Sequence, residues 1–208
     1  MKGILLKDFY IMRDSSLIMV LILAIVGIAL TVLSSPWLLI SVATVSLSTA
    51  AATTISNDKI TQWDKFSATL PVSRTQIISS KYFMYMILGI LGIVLGSTIS
   101  IGVSVLRHSF DVNLLLMNSC TAIIISLLPG SVNIPFSYLL EAEKGIVGLM
   151  LSYVITAGAF AGLRFLLSYF INMEENMLLV YGIVAVFSVV AYLFSWLMCP
   201  KMISRKDM

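Results

Sequence analysis

Residues 15–57 read SSLIMVLILAIVGIALTVLSSPWLLISVATVSLSTAAATTISN, and no side chain in this stretch is ionisable. Because one helical bilayer crossing takes about 20 apolar residues, the stretch is long enough to cross twice. The segment SSPW, Ser34 to Trp37, divides it near the middle, where serine and proline favour a tight turn. The stretch therefore predicts a hairpin of two transmembrane helices.

The rest of the chain has the same character. Of its 208 residues, 59% are hydrophobic and 11% are charged, which leaves too little polar surface to cover a soluble globule. Four further uncharged blocks are each long enough to cross a bilayer once: Tyr82–Leu106, Val112–Leu140, Gly145–Leu163 and Asn176–Pro200. We expect an all-α integral membrane protein with six transmembrane helices, forming a single transmembrane domain over residues 1–208.

The basic residues are distributed unequally between the two faces of this topology. Lysine and arginine are retained preferentially in cytoplasmic loops. One predicted face holds only Arg107 and Arg164, whereas the other holds Lys2, Lys7, Arg13, Lys59, Lys65, Arg74, Lys81, Lys144, Lys201, Arg205 and Lys206. The asymmetry predicts a multi-pass protein of the cell membrane with both termini in the cytoplasm.

Residues 57–81, between the second and third predicted spans, form the largest polar segment. Ile60, Trp63, Phe66 and Leu70 recur at steps of three or four, and the charged residues occupy other positions, which is typical of a short amphipathic helix. The pattern fits either of two interpretations. The helix could anchor the loop at the membrane interface with its charges solvated, or it could be a docking surface for a cytoplasmic partner.

The same segment contains the start signal of the next helix. Ser73 followed by Gln76 fits a capping box, and Val72 with Ile77 fits the hydrophobic staple around it. We expect the third transmembrane helix to begin near Arg74, in the cytoplasm, and to enter the membrane near Tyr82.

Two other polar segments lie on the predicted cytoplasmic face. Residues 1–14 place Leu5, Phe9 and Met12 on one helical stripe, which predicts an interfacial helix; the alternative is a frayed start to the first span. The short loop 141–145 is either a solvated loop or a second contact surface. Its charged residues are Glu141, Glu143 and Lys144.

Stripes of small residues indicate where helices can approach closely in a membrane. The third span carries the stripe Gly92, Gly96, Ser100 and Ser104, and the fifth span carries a shorter stripe, Gly158 and Gly162. Either stripe could serve packing within the chain or a dimer contact. The second span carries a polar stripe that either packs or lines a path, with packing favoured: Thr44, Ser48, Ala52 and Ser56.

The fourth span contains LLPGSVNIPF, in which Pro129, Gly130 and Pro135 weaken the helical hydrogen-bond ladder. A kink is expected there, and Asn133 is the polar side chain placed to respond to it. The segment is either a static proline kink or part of a transport pathway.

Several segments together resemble one family. They are GILLKDFYIMRDS near the start, NDKITQWDKFSATLPVSRTQIISSKY, the EAEKG run from Glu141 with Pro135 and Tyr138 before it, and the basic tail 200–208. These residues are similar to those of the small six-helix permease subunits of the ABC-2 exporter superfamily. The resemblance implies a type V exporter-like permease in which residues 1–14 form an elbow helix and residues 57–81 carry a cytoplasmic coupling helix. Its candidate ATPase contacts are Asp58, Lys59, Trp63, Asp64, Lys65, Phe66, Leu70, Pro71 and Arg74.

The resemblance also implies partners. The chain has no G-x-x-x-x-G-K-[ST] phosphate loop, so ATP and Mg²⁺ are expected on a separate ATPase, present in two copies, and no cofactor is expected in this chain. A second permease chain, identical or paralogous, is expected to complete the unit within the lipid bilayer, with no nucleic-acid partner. Members of the family include exporters of phenol-soluble modulins and self-protection transporters against peptide antibiotics. An amphipathic peptide is therefore the expected substrate.

Two other classes of function remain open at this stage. One is a membrane sensor or immunity module that does not transport. The other is a membrane-embedded enzyme acting on lipid or peptide. The sequence does not favour it, because it has one histidine, His108, and its two cysteines lack metal-ligand spacing. The predicted spans contain no internal ionisable residue, which disfavours transport of small ions and proton-coupled mechanisms.

Overall fold

The protein is a bundle of long helices. The computed structural model describes residues 2–33, 35–67, 73–140, 145–169 and 176–206, and no strand occurs in these ranges. The helices are α1 (Lys2–Leu33), α2 (Leu38–Ile60), α3 (Trp63–Ser67), α4 (Arg74–Leu106), α5 (Val112–Leu139), α6 (Gly145–Ser168) and α7 (Met177–Lys206). Inside α1, α3 and α7, the side chains of residues 2, 13–20, 30–33, 64–65 and 203–206 are outside the description.

Five described helices are long and apolar enough to cross a bilayer: α2, α4, α5, α6 and residues 177–202 of α7. Each corresponds to one of the blocks expected from the sequence. The remaining predicted span falls in α1, where much of the apolar stretch lies outside the described side chains. Six spans therefore stay a prediction, whereas the all-helical membrane architecture is confirmed.

The N-terminal segment and the first predicted span form one continuous helix. α1 runs for 32 residues without a break near residue 14, where the separate elbow helix was expected to end. The physical reason is that its sequence contains no proline and no glycine between Gly3 and Gly27, so no residue there favours ending the helix. Within the predicted apolar stripe, Leu5 and Met12 pack against the core, whereas Phe9 is exposed.

Contacts between the helices define two ends of the bundle. At one end, which we call the charged end, Asp8 of α1, Asp58 of α2 and Lys81 of α4 meet. At the opposite end, the rings of Trp37 and Phe110 lie 6.0 Å apart. α6 begins and α7 ends near the charged end, because Gly145 lies against Ser56 and the Trp196 indole N–H donates to Ser79 Oγ at 3.0 Å.

The small-residue stripe of α4 packs inside the chain. A Cβ atom added at Gly92 would lie 2.5 Å from Thr44 Cα, and one at Gly96 would lie 2.7 Å from Ile40 Cα. One step further, the Ser100 hydroxyl donates to the carbonyl of Pro36 at 2.7 Å. The absence of side chains thus lets α2 and α4 approach closely, which is how membrane helices gain packing energy without a hydrophobic driving force. Ser104, the last member, is also fully buried.

The polar stripe of α2 serves the same interface. Thr44 and Ser48 are fully buried and Ala52 nearly so, which confirms packing for this part of the stripe. Ser48 shares a hydrogen bond of 2.8 Å with Ser126 of α5. α2 is therefore held on one side by α4 and on the other by α5. Large apolar side chains such as Ile25, Val154 and Leu197 remain about two-thirds exposed on the outer surface, as expected for groups that face lipid.

Candidate functional site

Residues 57–81, for which the family resemblance implies a coupling role and which we call the coupling segment, leave α2 through a tight turn. Thr61 closes the helix by donating its hydroxyl to the Asn57 carbonyl at 2.9 Å, and Gln62 adopts a left-handed backbone with φ of 55°. The left-handed residue interrupts the helix, and α3 starts immediately after it, at Trp63. The expected amphipathic helix is therefore split: Ile60 ends α2, whereas Trp63 and Phe66 belong to α3.

The exposure of this segment differs from the expected pattern. Ile60 and Phe66 are exposed by 67% and 55%, whereas Asp58 is only 4% exposed. The interpretation that the charges of the segment are solvated is therefore wrong for Asp58. Its carboxylate points into the bundle because two lysines lie there to receive it, and the apolar side chains are left on the surface.

The second half of the segment follows the sequence prediction closely. Ser73 is the N-cap of α4, and its hydroxyl accepts from the Gln76 N–H at 3.3 Å. The Gln76 side chain accepts in return from the Ser73 N–H at 3.3 Å, which confirms the capping box. α4 begins at Arg74, as expected. Val72, Leu70 and Pro71 lie outside the described residues, as do the side chains of Asp64 and Lys65.

Lys81 is the centre of a buried group of charges that we call the charge cluster: Lys7, Asp8, Asp58 and Lys81. The Lys81 ammonium lies 2.8 Å from Asp8 Oδ1 and 2.6 Å from Asp58 Oδ2, and it also donates to the Thr54 hydroxyl at 3.2 Å. Asp8 is fully buried and Lys81 is 3% exposed. Three helices, α1, α2 and α4, thus meet through one lysine.

Lys7 connects this cluster to α3. Its ammonium donates to Asp58 Oδ1, lies 3.5 Å from Asp8 Oδ1, and stands 4.1 Å from the centroid of the Trp63 ring. A cation over an indole face is attracted by the ring quadrupole. The tryptophan ring also lies 5.2 Å from the Phe66 ring. The position of the short helix is therefore set by the charge cluster beneath it.

The charge cluster is neutral in total, with two ammonium and two carboxylate groups. Burying ions is costly unless each is paired and hydrogen-bonded, and removing one partner leaves an uncompensated charge in a place of low dielectric. One atom is already unsatisfied, since Asp8 Oδ2 is buried without a hydrogen-bond partner among the described residues. The arrangement is thus sensitive to any change in its four members.

Lys59 joins the coupling segment to the end of α5. Its ammonium donates to the carbonyls of Tyr138, at 3.1 Å, and Leu140. The last carbonyls of a helix lack partners within it and carry partial negative charge, so a lysine there is favourable. Lys59 consequently brings the segment next to Leu140, at the end of α5. Glu141, Glu143 and Lys144, which follow in the sequence, lie outside the described residues.

The proline-containing part of α5 is stabilised by neighbouring helices. Pro135 has no N–H to donate to the Ser131 carbonyl four residues earlier. The Ser195 hydroxyl of α7 donates to that carbonyl instead, at 2.6 Å, and lies 2.8 Å from the Tyr82 hydroxyl. Because the single proton of Ser195 is used, Tyr82 is the donor to it. Helices α4, α5 and α7 are thereby linked near the charged end.

The neighbouring positions of α5 are also engaged. Gly130 makes room for Tyr85, since a Cβ there would lie 2.5 Å from the ring, and the Tyr85 hydroxyl donates to the Ser126 carbonyl at 2.8 Å. Asn133 is buried and accepts from the Ser137 hydroxyl at 3.3 Å. Pro129 lines a cavity between α5, α6 and α7. Although α5 contains both prolines, it remains one helix from Val112 to Leu139.

The second small-residue stripe behaves differently from the first. A Cβ added at Gly158 or Gly162 would meet nothing within 4 Å among the described residues, so this face of α6 is open in that part of the chain. No group of three or more histidine, cysteine or acidic side chains that could hold a metal ion occurs among the described residues. His108, which has a left-handed backbone, lies exposed in the turn after α4.

The buried charges were not identified from the sequence. Asp8 was not singled out, and Lys7 and Lys81 were counted only as basic residues of the cytoplasmic face. The available signal is position: Lys81 directly precedes a long uncharged run, and α2 carries Asp58 directly after another. Charged residues at the edges of transmembrane runs are costly if unpaired and are therefore candidates for pairing.

Comparison with known proteins is consistent with this architecture. The sequence profile of the family described as "ABC-2 family transporter protein" matches residues 3–204. No curated protein and no solved structure gives a significant match. The family match runs from residue 3 in α1, through the charge cluster, to residue 204 in α7. The chain therefore belongs to the ABC-2 family of transporter proteins and is the membrane permease component of an ABC transporter.

Proposed function

We propose that this permease exports amphipathic peptides and that two copies of a separate ATPase drive it through the coupling segment. The observation that carries the proposal is the charge cluster. It joins α1, α2 and α4 and contacts α3 through Lys7 and Trp63, while the apolar side chains of Ile60 and Phe66 remain exposed. An exposed apolar pair on a rigid support is the kind of surface that a partner protein binds.

The cluster supplies a route for movement. A displacement of α3 by the ATPase would act on Trp63, then on Lys7, and through Asp58 and Lys81 on α2 and α4. α2 and α4 are in close backbone contact along the glycine stripe, so they would move together. ATP binding and release would in this way switch the permease between two packings.

The coupling contacts would then divide into two groups. Ile60, Phe66 and Arg74, which are exposed, would touch the ATPase. Asp64, Lys65, Leu70 and Pro71 would join them, because the family resemblance assigns these residues to the same contact. Asp58, Lys59 and Trp63 would position these contact residues, because each of the three side chains binds other residues of this chain. Glu141, Glu143 and Lys144 would form a second contact, since Lys59 holds the preceding helix end beside the segment.

The substrate assignment is supported by the distribution of charge. The buried charges of the described helices lie together at the charged end, and they are paired with one another. The apolar faces along the rest of the helices suit a molecule that is itself partly apolar, such as an amphipathic peptide. A second permease chain, identical or paralogous, would complete the pathway. It would contact this chain through the face of α6 that carries Gly158 and Gly162.

The test is the variant Phe66→Ala in the permease co-expressed with its ATPase. If Phe66 is a central contact, copurification of the ATPase and its stimulation by substrate should fall about tenfold or more. Leu106→Ala is the matched control, because Leu106 is 82% exposed at the opposite end of the bundle. Unchanged copurification together with unchanged ATPase stimulation in Phe66→Ala would count against the proposed docking surface.

Transport is tested separately from docking. Replacing the phosphate-loop lysine of the ATPase should abolish peptide export from cells that carry both subunits. Continued protection of the cells in that background would favour a sensor or immunity module over an exporter.

A further inference from the structure

A cavity of about 290 Å³ lies between α5, α6 and α7. Most of its lining is apolar, and it belongs neither to the charge cluster nor to the coupling segment. The lining residues are Thr121, Ile124, Ile125, Leu128, Pro129, Tyr153, Thr156, Ala157, Phe160 and Tyr181.

The cavity opens sideways. Its inner wall is buried, with Ile124 and Leu128 at 5% exposure or less, whereas Ile125 and Ala157 at its edge are exposed. Ala157 lies about 100° around α6 from Gly158 and about 140° from Gly162, so it is not on the face proposed to meet the second permease. In a helix that spans a bilayer, an exposed side chain at mid-length outside such a contact faces lipid. The opening is therefore directed toward hydrocarbon and not toward water.

The wall offers few hydrogen bonds to a ligand. The Thr121 hydroxyl already donates to the Met117 carbonyl at 2.8 Å, and the Thr156 hydroxyl donates to the Tyr153 carbonyl at 3.0 Å. The hydroxyls of Tyr153 and Tyr181 are the remaining side-chain polar groups of a mostly apolar lining. Because the lining is mostly apolar, the group that fits the cavity best is a hydrocarbon group. A dry cavity of about 150 Å³ lined by carbon holds one benzene molecule, so twice that volume suits a short length of acyl chain. A helical peptide about 10 Å across is too wide.

A cation lies directly beyond the cavity. A small crevice lined by Phe160, Arg164 and Tyr181 adjoins it and shares Phe160 and Tyr181 with it. Arg164 is exposed and lies one turn beyond Phe160 on the same face of α6, about 6 Å further along the axis. It is four residues from the end of the helix, the depth at which lipid headgroups are found.

We propose that this site binds one anionic phospholipid, with an acyl chain in the cavity and the phosphate at Arg164. A guanidinium binds phosphate oxygens through two parallel hydrogen bonds, which gives the site both charge and geometry. The surrounding bilayer supplies the lipid, and α6, which carries Arg164 and four of the ten lining residues, is thereby held against α5 and α7.

The test uses the purified permease and native mass spectrometry, with phosphatidylglycerol or phosphatidylcholine that carry the same acyl chains. Ala157→Phe should fill the cavity and remove most of the bound phosphatidylglycerol, because Ala157 is exposed at the edge and the larger ring can enter without displacing the core. Ala159→Phe, exposed on the same helix but not part of the lining, is the control and should bind as the wild type does.

A second pair of variants tests the headgroup. One basic residue near a lipid surface favours anionic lipid by about fivefold, so Arg164→Gln should lose about that preference over phosphatidylcholine. Arg107→Gln, at the end of α4, should keep it. If Ala157→Phe proves unstable, Ala157→Leu adds less volume and should still reduce binding. Wild-type binding in the cavity variants, or equal binding of the two lipids by the wild type, would overturn the proposal.

Discussion

Replacing Lys81 by methionine tests whether the charge cluster holds the coupling segment. Methionine keeps most of the length of the side chain but removes the ammonium that lies 2.8 Å from Asp8 and 2.6 Å from Asp58. Two buried carboxylates would then share a single cation, Lys7. Breaking a buried ion pair by removing one partner costs about 3–5 kcal/mol of folding free energy. We expect a loss in that range for Lys81→Met.

A second substitution separates the charge effect from the loss of packing. In the double variant Lys81→Met with Asp58→Asn, the remaining pair is Lys7 and Asp8, 3.5 Å apart, and the buried group is neutral again. The double variant should therefore lose less than the sum of the two single variants. A coupling of about 0.5–3 kcal/mol is expected for groups in direct contact.

The assay is reversible unfolding of the purified permease in detergent micelles, followed by tryptophan fluorescence. Arg107→Met is the control, because Arg107 is exposed at the other end of the same helix and its replacement should change the free energy of unfolding by no more than about 0.5 kcal/mol. If Lys81→Met resembles this control, or if the two cluster substitutions add without coupling, the reasoning about the cluster is wrong.

Two further predictions concern helix packing, and the same unfolding assay measures both. Gly96→Ala should destabilise the protein by about 1–3 kcal/mol, because the new Cβ would lie 2.7 Å from the backbone of α2. Gly102→Ala is the control: a Cβ there meets no described atom within 4 Å, so the variant should be neutral or more stable by up to about 1 kcal/mol. Equal effects at the two sites would contradict the close approach of α2 and α4. Ser195→Ala should cost about 1–3 kcal/mol, because it removes the donor to the Ser131 carbonyl that Pro135 leaves without a partner. In a Pro135→Ala background, the restored backbone N–H should reduce that cost, and an undiminished cost would show that the serine acts in another way.

Local features of the chain were predictable from sequence with good accuracy. The capping box of Ser73 and Gln76 involves residues three apart, and its geometry follows from the start of any helix with that spacing. The apolar blocks that became α4 to α7 were recognisable because a bilayer requires long uncharged helices. Family membership rests on the same chain-wide pattern.

The candidate site was predicted only in part. The position of the coupling segment between α2 and α4 followed from charge and periodicity, but the pattern placed Asp58 on a solvated face. Periodicity describes one helix at a time, whereas burial of Asp58 depends on Lys7 and Lys81 from two other helices. The same limit applies to the glycine stripes, since Gly96 and Gly158 look alike in sequence, but among the described residues only the first packs against another helix.

The amino-acid sequence alone determined that this protein is helical and lies in a membrane. Those properties depend on hydrophobicity and on hydrogen bonds between near neighbours, which each segment carries by itself. The tertiary structure decided which charges are buried and which helices touch, because Lys7 reaches Asp58 across 51 positions and Lys81 reaches Asp8 across 73. Such pairs form only where packing removes water from both partners at once, and no single segment specifies that.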